Sequence, residues 1–404
     1  MEVKQIYTLI NSVSGEVLGR TDIVTEDLTG IVDLGTEVFN QNAVDNYVKS
    51  LVNHIGKVIF VNRTYAGKVP SVLMDAWEFG SVLEKVSADI PDAEVNYTWE
   101  LTDKKEYSQD IFHKPKVTAK FFNSKVTFEV PVSITERQVK ESFSNAAQMN
   151  GFISMIYGAV EKSMTIKADA LIMRTINNMI AETLKADNNE FTSDSGVNYS
   201  ANSTTRCVNL LKLYNDKFHP AEGNAANPDA ITAADAITNP EFIRFASYTI
   251  GMYSDRMQSI STAFNVGGKQ RFTPTDMMHL VLLSDFAKAA QTYLYSDTYN
   301  RVDVLLPKAE TVPFWQGSGK DYSFAKTSRI NVTPSSSTGT DADTIDINGV
   351  IGVMFDRDSL GVCNLDRRVT TNYNAKAEFF NNYYKFDAGY FNDTNENFVV
   401  FFVA

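Results

Sequence analysis

Residues 152–186, FISMIYGAVEKSMTIKADALIMRTINNMIAETLKA, carry one apolar stripe through Ile153, Ile156, Val160, Met164, Ala168, Leu171, Met179 and Leu184. Steps of three and four residues put those side chains on one face of an α-helix. Roughly 35 residues at about 1.5 Å each make a helix of about 50 Å, against a usual length of about 11–12 residues. It is expected to stop at the polar cluster Asp187-Asn188-Asn189. Such a helix spans a whole molecule, so the other elements of a 404-residue chain must be laid along it or set apart from it. That length also points to two or three lobes, because one core seldom grows so large.

Upstream of this helix, residues 1–40 show no sustained period and several glycines, which predicts an extended arm. Val44, Val48, Leu51 and Ile55 predict a helix that ends at Gly56, and KVIFVNR a strand. Residues 62–132 are strand-like at both ends and polar around Asp103, Lys104, Lys105 and Glu106, the pattern of a long hairpin. Val126, Phe128, Val130 and Val132 alternate with polar residues, and Pro131 on the polar side restricts that strand to an edge or a free arm. Residues 133–149 predict a short helix capped by Ser133 or Thr135 and broken near Asn150-Gly151.

Downstream, Asn239-Pro240-Glu241 predicts a helix start, and a stripe from Phe242 through Ala246, Ile250, Tyr253, Met257 and Ile260 to Phe264 predicts its length. MHLVLL at 278–283 reads as a buried strand followed by the helix FAKAAQTYL. VDVLLP and RINV predict further strands, and TPSSSTGTDAD at 333–343 a linker. INGVIGVMF predicts a strand and DRDSLG a single helical turn. From Tyr373 onward 11 of 32 residues are aromatic, with Phe380, Tyr384, Phe386, Ala388 and Tyr390 assigned to one strand face. Several separate helices and mostly hairpin-like strands make the fold class α+β.

Chemistry is thinly provided for. Only two cysteines and four histidines occur, and Cys207 and Cys363 suit neither a disulfide framework nor a metal spacing. His279 follows Asp276 but lies in a buried strand pattern, and no Gly-x-Ser-x-Gly elbow accompanies any histidine. GSGKD at 317–321 lacks the first glycine of a phosphate loop and has Asp where Ser or Thr must bind magnesium. DADTIDING at 341–349 has Ile345 and Gly352 where a calcium loop needs oxygen ligands. No catalytic, metal or cofactor site is expected. The net charge of -12 argues against a coat that grips phosphate through a basic face. Lys114, Lys116, Lys120 and Lys125 read as a solvated strand face. No signal peptide or run of 18 apolar residues is visible, so synthesis and folding in a cytoplasm, away from membranes, are expected.

The order of parts is informative: extended arm, long hairpin, very long helix, separate α/β lobe, returning aromatic strands. It resembles the major capsid protein of tailed double-stranded DNA phages, the Hong Kong 97 fold. VKSLVNHIGKVIFV, FGSVLEKV, FISMIYGAVEKSM, GVIGVMFDRDSLGV and FFNNYYKFDAGYFNDTNENFVVFFV carry the likeness, most of all to small short-tailed, podovirus-type phages of Gram-positive hosts. The likeness covers roughly residues 40–186 and 240–404.

The resemblance implies an N-terminal arm and first helix at 1–61, an E-loop hairpin at 62–132 and a P-domain with the spine helix at 133–200. It implies an A-domain at 201–344 and closing P-domain strands at 345–404. Copies would assemble as pentamers and hexamers into an icosahedral shell enclosing double-stranded DNA. A separate scaffolding protein and a portal would take part, since no long scaffold-like segment precedes the arm. Assembly residues would be Gly80, Leu83, Glu84, Lys104 and Lys105 in the hairpin, with hinges at Asn150-Gly151 and at the hairpin root. Two other readings stand beside it: an encapsulin-type nanocompartment shell, which has a shorter hairpin region, and an acidic cytosolic enzyme. An acidic lining would hold packaged DNA without trapping it.

Overall fold

A computed structural model describes residues 3–19, 46, 50, 69–74, 83–91, 93, 95, 99–106, 114–135, 146–187, 205–220, 227–295, 309–315, 330–332, 345–347 and 349–403. Helix α1 covers Val3–Leu18. A 3-10 turn, Pro70–Val72, leads into β1, Leu73–Met74. Next come β2 (Leu83–Ala88), β3 (Val117–Phe122), β4 (Lys125–Thr135) and the long helix α2 (Ala146–Asp187). They are followed by β5 (Cys207–Asn209), α3 (Leu210–Phe218), α4 (Ala233–Ala236) and α5 (Pro240–Met257). Then come β6 (Met278–Leu283), α6 (Ser284–Tyr295), β7 (Ala309–Val312), β8 (Ile330–Val332) and β9 (Ile345–Ile347). The chain closes with β10 (Val350–Asp356), β11 (Leu360–Asn374), β12 (Phe379–Asn392) and β13 (Phe398–Phe402).

The chain divides into two compact units. The first holds residues 1–78, 125–172 and 362–389, and the second 79–124, 173–361 and 390–404. Helix α2 contributes to both. It has 42 residues, about 63 Å at about 1.5 Å per residue. Val160, Met164, Ala168, Leu171, Met179 and Leu184 of the expected stripe are all buried. Toward its C-terminal end Ile176, Asn177, Ile180, Ala181 and Thr183 are buried as well, so there the helix is enclosed on several sides.

In the first unit, β4 is an edge strand of a sheet ordered β1-β11-β12-β4. It pairs antiparallel with β12 from Lys125 opposite Gly389 to Thr135 opposite Phe379. Phe128 is buried and stacks on Phe386 at 5.0 Å, while Lys125, Thr127, Glu129 and Pro131 are exposed. An edge position tolerates Pro131, which has no N–H for a further ladder. Tyr384 is fully buried on β12, and burial pushes its phenol up to about 12.

In the second unit, a mixed sheet runs β5-β13-β10-β6-β7. β10 and β13 are buried along their whole length, as central strands should be. Phe242, Ala246, Ile250, Tyr253 and Met257 of α5 join Leu280, Leu282, Phe286, Met354 and Phe401 in one core. Each such aromatic or aliphatic side chain contributes about 1.5–3 kcal/mol by leaving water. The Asn239 side chain accepts from the N–H groups of Glu241 and Phe242, and Pro240 opens the helix. Trp315, fully buried, donates its indole N–H to the Val350 carbonyl at 2.8 Å.

Several expectations need correction. Residues 3–18 are helical rather than an extended arm, with Ile10 and Val13 fully buried. Ile6, Ile10, Val13 and Val17 follow steps of four and three, a short stripe across which Gly15 is tolerated. Of the expected short helix at 133–149, residues 133–135 belong to β4, where Ser133 and Thr135 pair with Asn381 and Phe379, residues 146–149 open α2, and 136–145 lie outside the described residues. Asn150 and Gly151 lie inside α2, which is not broken there. One glycine in a helix interior costs only about 1 kcal/mol, and a helix of this length absorbs it.

Helix α5 stops at Met257: Ile260 is 60% exposed, and Phe264 reaches the core from a loop. INGVIGVMF splits into β9 and β10 around Gly349, whose φ is +82°. DRDSLG forms a turn between β10 and β11 instead of a helical turn. On β12 the buried face changes after Ala388, so Phe391 is buried and Tyr390 only half-buried. The strand KVIFVNR, VDVLLP and the linker 333–343 lie outside the described residues, as does the helix from Val44 to Gly56 apart from Asn46 and Ser50, both helical.

Candidate assembly surface

The hairpin is β2 paired antiparallel with β3, from Leu83 opposite Phe122 to Ala88 opposite Val117. The following strand, β4, pairs with β12 instead. The described ribbon is thus shorter than the expected 62–132, and the chain leaves it through Asn123-Ser124.

Alternation gives the ribbon two different faces. Leu83, Lys85 and Ser87 share one face with Phe122, Lys120 and Thr118. This face is tied to the turn after β12. Lys85 Nζ lies 3.0 Å from Asp393 Oδ2, 2.9 Å from Glu396 Oε1 and 3.0 Å from the Asp358 carbonyl. Lys120 Nζ lies 2.8 Å from Asp393 Oδ1. Phe122 meets Phe391 at 5.1 Å. Just beyond the ladder, Asp89 receives Lys269 at 3.0 Å, and Glu396 also receives Arg271 at 3.2 Å.

Burial raises the Asp393 carboxyl, but the hydrogen bond from Lys120, the charge and hydrogen bond of Lys85 and the Asn395 N–H outweigh it. The group is held below the usual carboxylate range. Neighbouring Asp356 goes the other way. Burial raises it more than the Asp358 N–H and the Thr273 hydroxyl lower it. Together these contacts bracket the hairpin root with charged pairs.

The opposite face carries Glu84 with Phe121, Val86 with Ala119, and Ala88 with Val117. Phe121, Val86 and Val117 are 65, 60 and 57% exposed. Beyond the ladder Val95, Trp99 and Leu101 are exposed too. Exposed apolar patches of this kind are a general mark of interaction sites, and a lone two-stranded ribbon is marginally stable by itself.

The expected assembly residues scatter over this ribbon. Leu83 is on the inner face and Glu84 on the outer face. Lys104 and Lys105 are exposed in a turn closed by the Lys105 N–H on the Thr102 carbonyl, with Lys104 at φ +63°. Gly80 lies outside the described residues. Asn150 and Gly151 belong to α2. Sequence reasoning missed the partners of Lys85 and Lys120, Asp393 and Glu396. The signal available was the acidic turn DTNEN between two aromatic strands.

Among the described residues no three His, Cys, Asp or Glu side chains gather as a metal ion would require. Among them, too, no helix is long and apolar enough to cross a membrane.

The family model of the Phi29-like phage major capsid protein matches residues 7–402. The chain belongs to that family. Copies of such a capsid protein assemble with one another into the shell of a virion. It is a structural protein of a tailed phage.

No curated protein matches the chain in sequence. Among solved structures, a chain in the structure of head fiber and inner core protein gp22 of native bacteriophage P68 is 8% identical. It has a TM-score of 0.50 and covers 85% of this chain and 86% of its own. That likeness shows the α+β fold alone. A chain in the capsid structure of Staphylococcus phage Andhra has a TM-score of 0.49 at 9% identity, with the same coverage.

Proposed function

We propose that this capsid protein builds its shell by laying the outer face of the β2–β3 ribbon on a neighbouring copy. One observation carries the reading: the ribbon's inner face is spent on ion pairs within the chain, while Phe121, Val86 and Val117 face outward uncovered. The ribbon then plays the part of the E-loop, α2 that of the spine helix, and the lobe of α3, α5 and α6 on the mixed sheet that of the A-domain. The sheet of β11, β12 and β4 then stands for the P-domain and residues 1–61 for the N-terminal arm and first helix, while Glu84, Lys104 and Lys105 belong to the overlapping surface.

The same reading includes pentamers and hexamers in an icosahedral shell around double-stranded DNA, assembled in a bacterial cytoplasm with a scaffolding protein and a portal. A charge of -12 lets such a shell hold DNA without binding it tightly. The host type it favours is the Gram-positive one of small short-tailed phages. Rings built from one repeated contact are heterologous, so a single spoiled face interrupts them everywhere.

The test is sedimentation velocity and negative-stain microscopy of the chain co-expressed with its scaffolding partner. Phe121→Lys with Val86→Asp is expected to leave soluble, folded subunits and no closed shells. Shells of ordinary size and yield from that variant would overturn the reading.

A further inference from the structure

We propose that the groove between α3 and α5 docks an acidic amphipathic helix of another protein, a site beyond the shell contacts above. The groove has a volume of about 500 Å³ and is lined by Leu213, Phe245, Tyr248 and Met252, with Lys217 and Arg256 among its walls. From Phe245 to Arg256 it follows α5 for 12 residues, about 16 Å or three turns.

Its floor is apolar and open: Tyr248 is 68% exposed, and Phe218 beside it 51%. In a chain of net charge -12, this groove keeps two cations that form no carboxylate pair among the described residues. Lys217 Nζ instead rests 5.1 Å from the Phe218 ring centre and 5.5 Å from that of Phe245. Arg256 lies 5.3 Å from the Tyr253 ring centre. The one carboxylate in the lining, Asp216, is already taken by Lys212 at 2.8 Å. Cations held on ring faces at an apolar trough suit an occupant with an apolar stripe flanked by carboxylates.

The occupant is another protein: among the side chains described, no helix of this chain carries an exposed apolar stripe flanked by carboxylates. α1 exposes Ser12 and Glu16, and α6 exposes Asp285, Lys288, Gln291 and Thr292. Among the described side chains of α2, residues 158–187, Ile166 is the one large apolar side chain exposed. A helix seated between two helices is a common recognition mode, read as anchors at i, i+3, i+4 and i+7.

A synthetic helical peptide with Leu and Phe at those anchor positions and Glu beside them provides the probe. Its twin carries Lys in place of every Glu. Binding to the full chain is measured by fluorescence anisotropy, with circular dichroism as the check on folding. The Glu peptide should bind, and the Lys twin should bind at least about tenfold more weakly. Tyr248→Ala should weaken the Glu peptide, and Lys217→Glu with Arg256→Glu should reverse the preference between the two peptides. Equal affinity for both peptides, or no binding of either, would overturn the proposal. So would variants that stop self-assembly while the Glu peptide binds them unchanged, since that assigns the groove to a second copy.

Discussion

Lys85 of the hairpin and Asp393 of the turn after β12 meet at 3.0 Å, and Lys120 reaches the other oxygen of the same carboxylate at 2.8 Å. The Asp393 side chain is only 3% exposed. One nearly buried acid thus holds both strands of the ribbon at its root, and the ribbon's direction is set from inside the chain.

Asp393→Asn should therefore loosen the root. It leaves two lysines facing a neutral amide, and since both are partly in water the loss is about 1–2 kcal/mol. Urea denaturation reads that loss, and hydrogen exchange should quicken at the amides of β2 and β3. Unchanged exchange there would mean that the ribbon is held by Phe122 and Phe391 instead.

Acid acts on the two carboxylates of this joint with opposite sign. Asp356 has a raised folded value, so above the ordinary carboxylate range of about 4 the folded state binds more protons than the unfolded one. Its contribution falls as pH rises through that folded value. Asp393 has a lowered value, so its contribution is present above the ordinary range and is lost as pH falls through the folded value. Denaturation midpoints across the acid range should lose the first slope in Asp356→Asn and the second in Asp393→Asn. Parallel profiles for wild type and both variants would contradict this.

The hydroxyl of Tyr384 has no hydrogen-bond partner among the described residues, although the side chain is fully buried. Tyr384→Phe removes a polar atom that nothing rewards, so stability should stay level or rise by up to about 1 kcal/mol. Wild-type Tyr384 should ionise only near the value of about 12 that burial imposes. A clear loss of stability in the variant would show that the hydroxyl is used.

Gly349 has φ +82°, and a Cβ built there would lie 2.2 Å from the Val403 carbonyl oxygen. The same pair is joined by the Val403 N–H on the Gly349 carbonyl at 2.8 Å. Gly349→Ala combines backbone strain with a backbone clash and should cost about 2 kcal/mol or more. Thermal denaturation measures it, and a variant as stable as wild type would show that β10 can shift against β13.

What could be read from the chain beforehand was what local rules control. Asn239-Pro240 announced α5, the stripe from Val160 to Leu184 announced α2, and Pro131 announced an edge strand. Errors arose where tertiary pairing overrode local pattern. Ser133 and Thr135 look like helix caps but are claimed by β12. KVTFEVPV looks like a hairpin arm because alternation cannot reveal which strand lies alongside. The stripe in α1 has only four members and is diluted by Ser12, Ser14 and Gly15. The hairpin root was beyond reach for a different reason: Lys85 and Asp393 are brought together only by the completed fold, and nothing in either neighbourhood names the other.

Image reconstruction of assembled shells at side-chain resolution tests the docking of the ribbon most directly. Density from a neighbouring copy should cover Val86, Val117 and Phe121, while Lys85 and Lys120 stay on Asp393 of their own chain. A shell in which that outer face looks into solvent would contradict the proposed assembly.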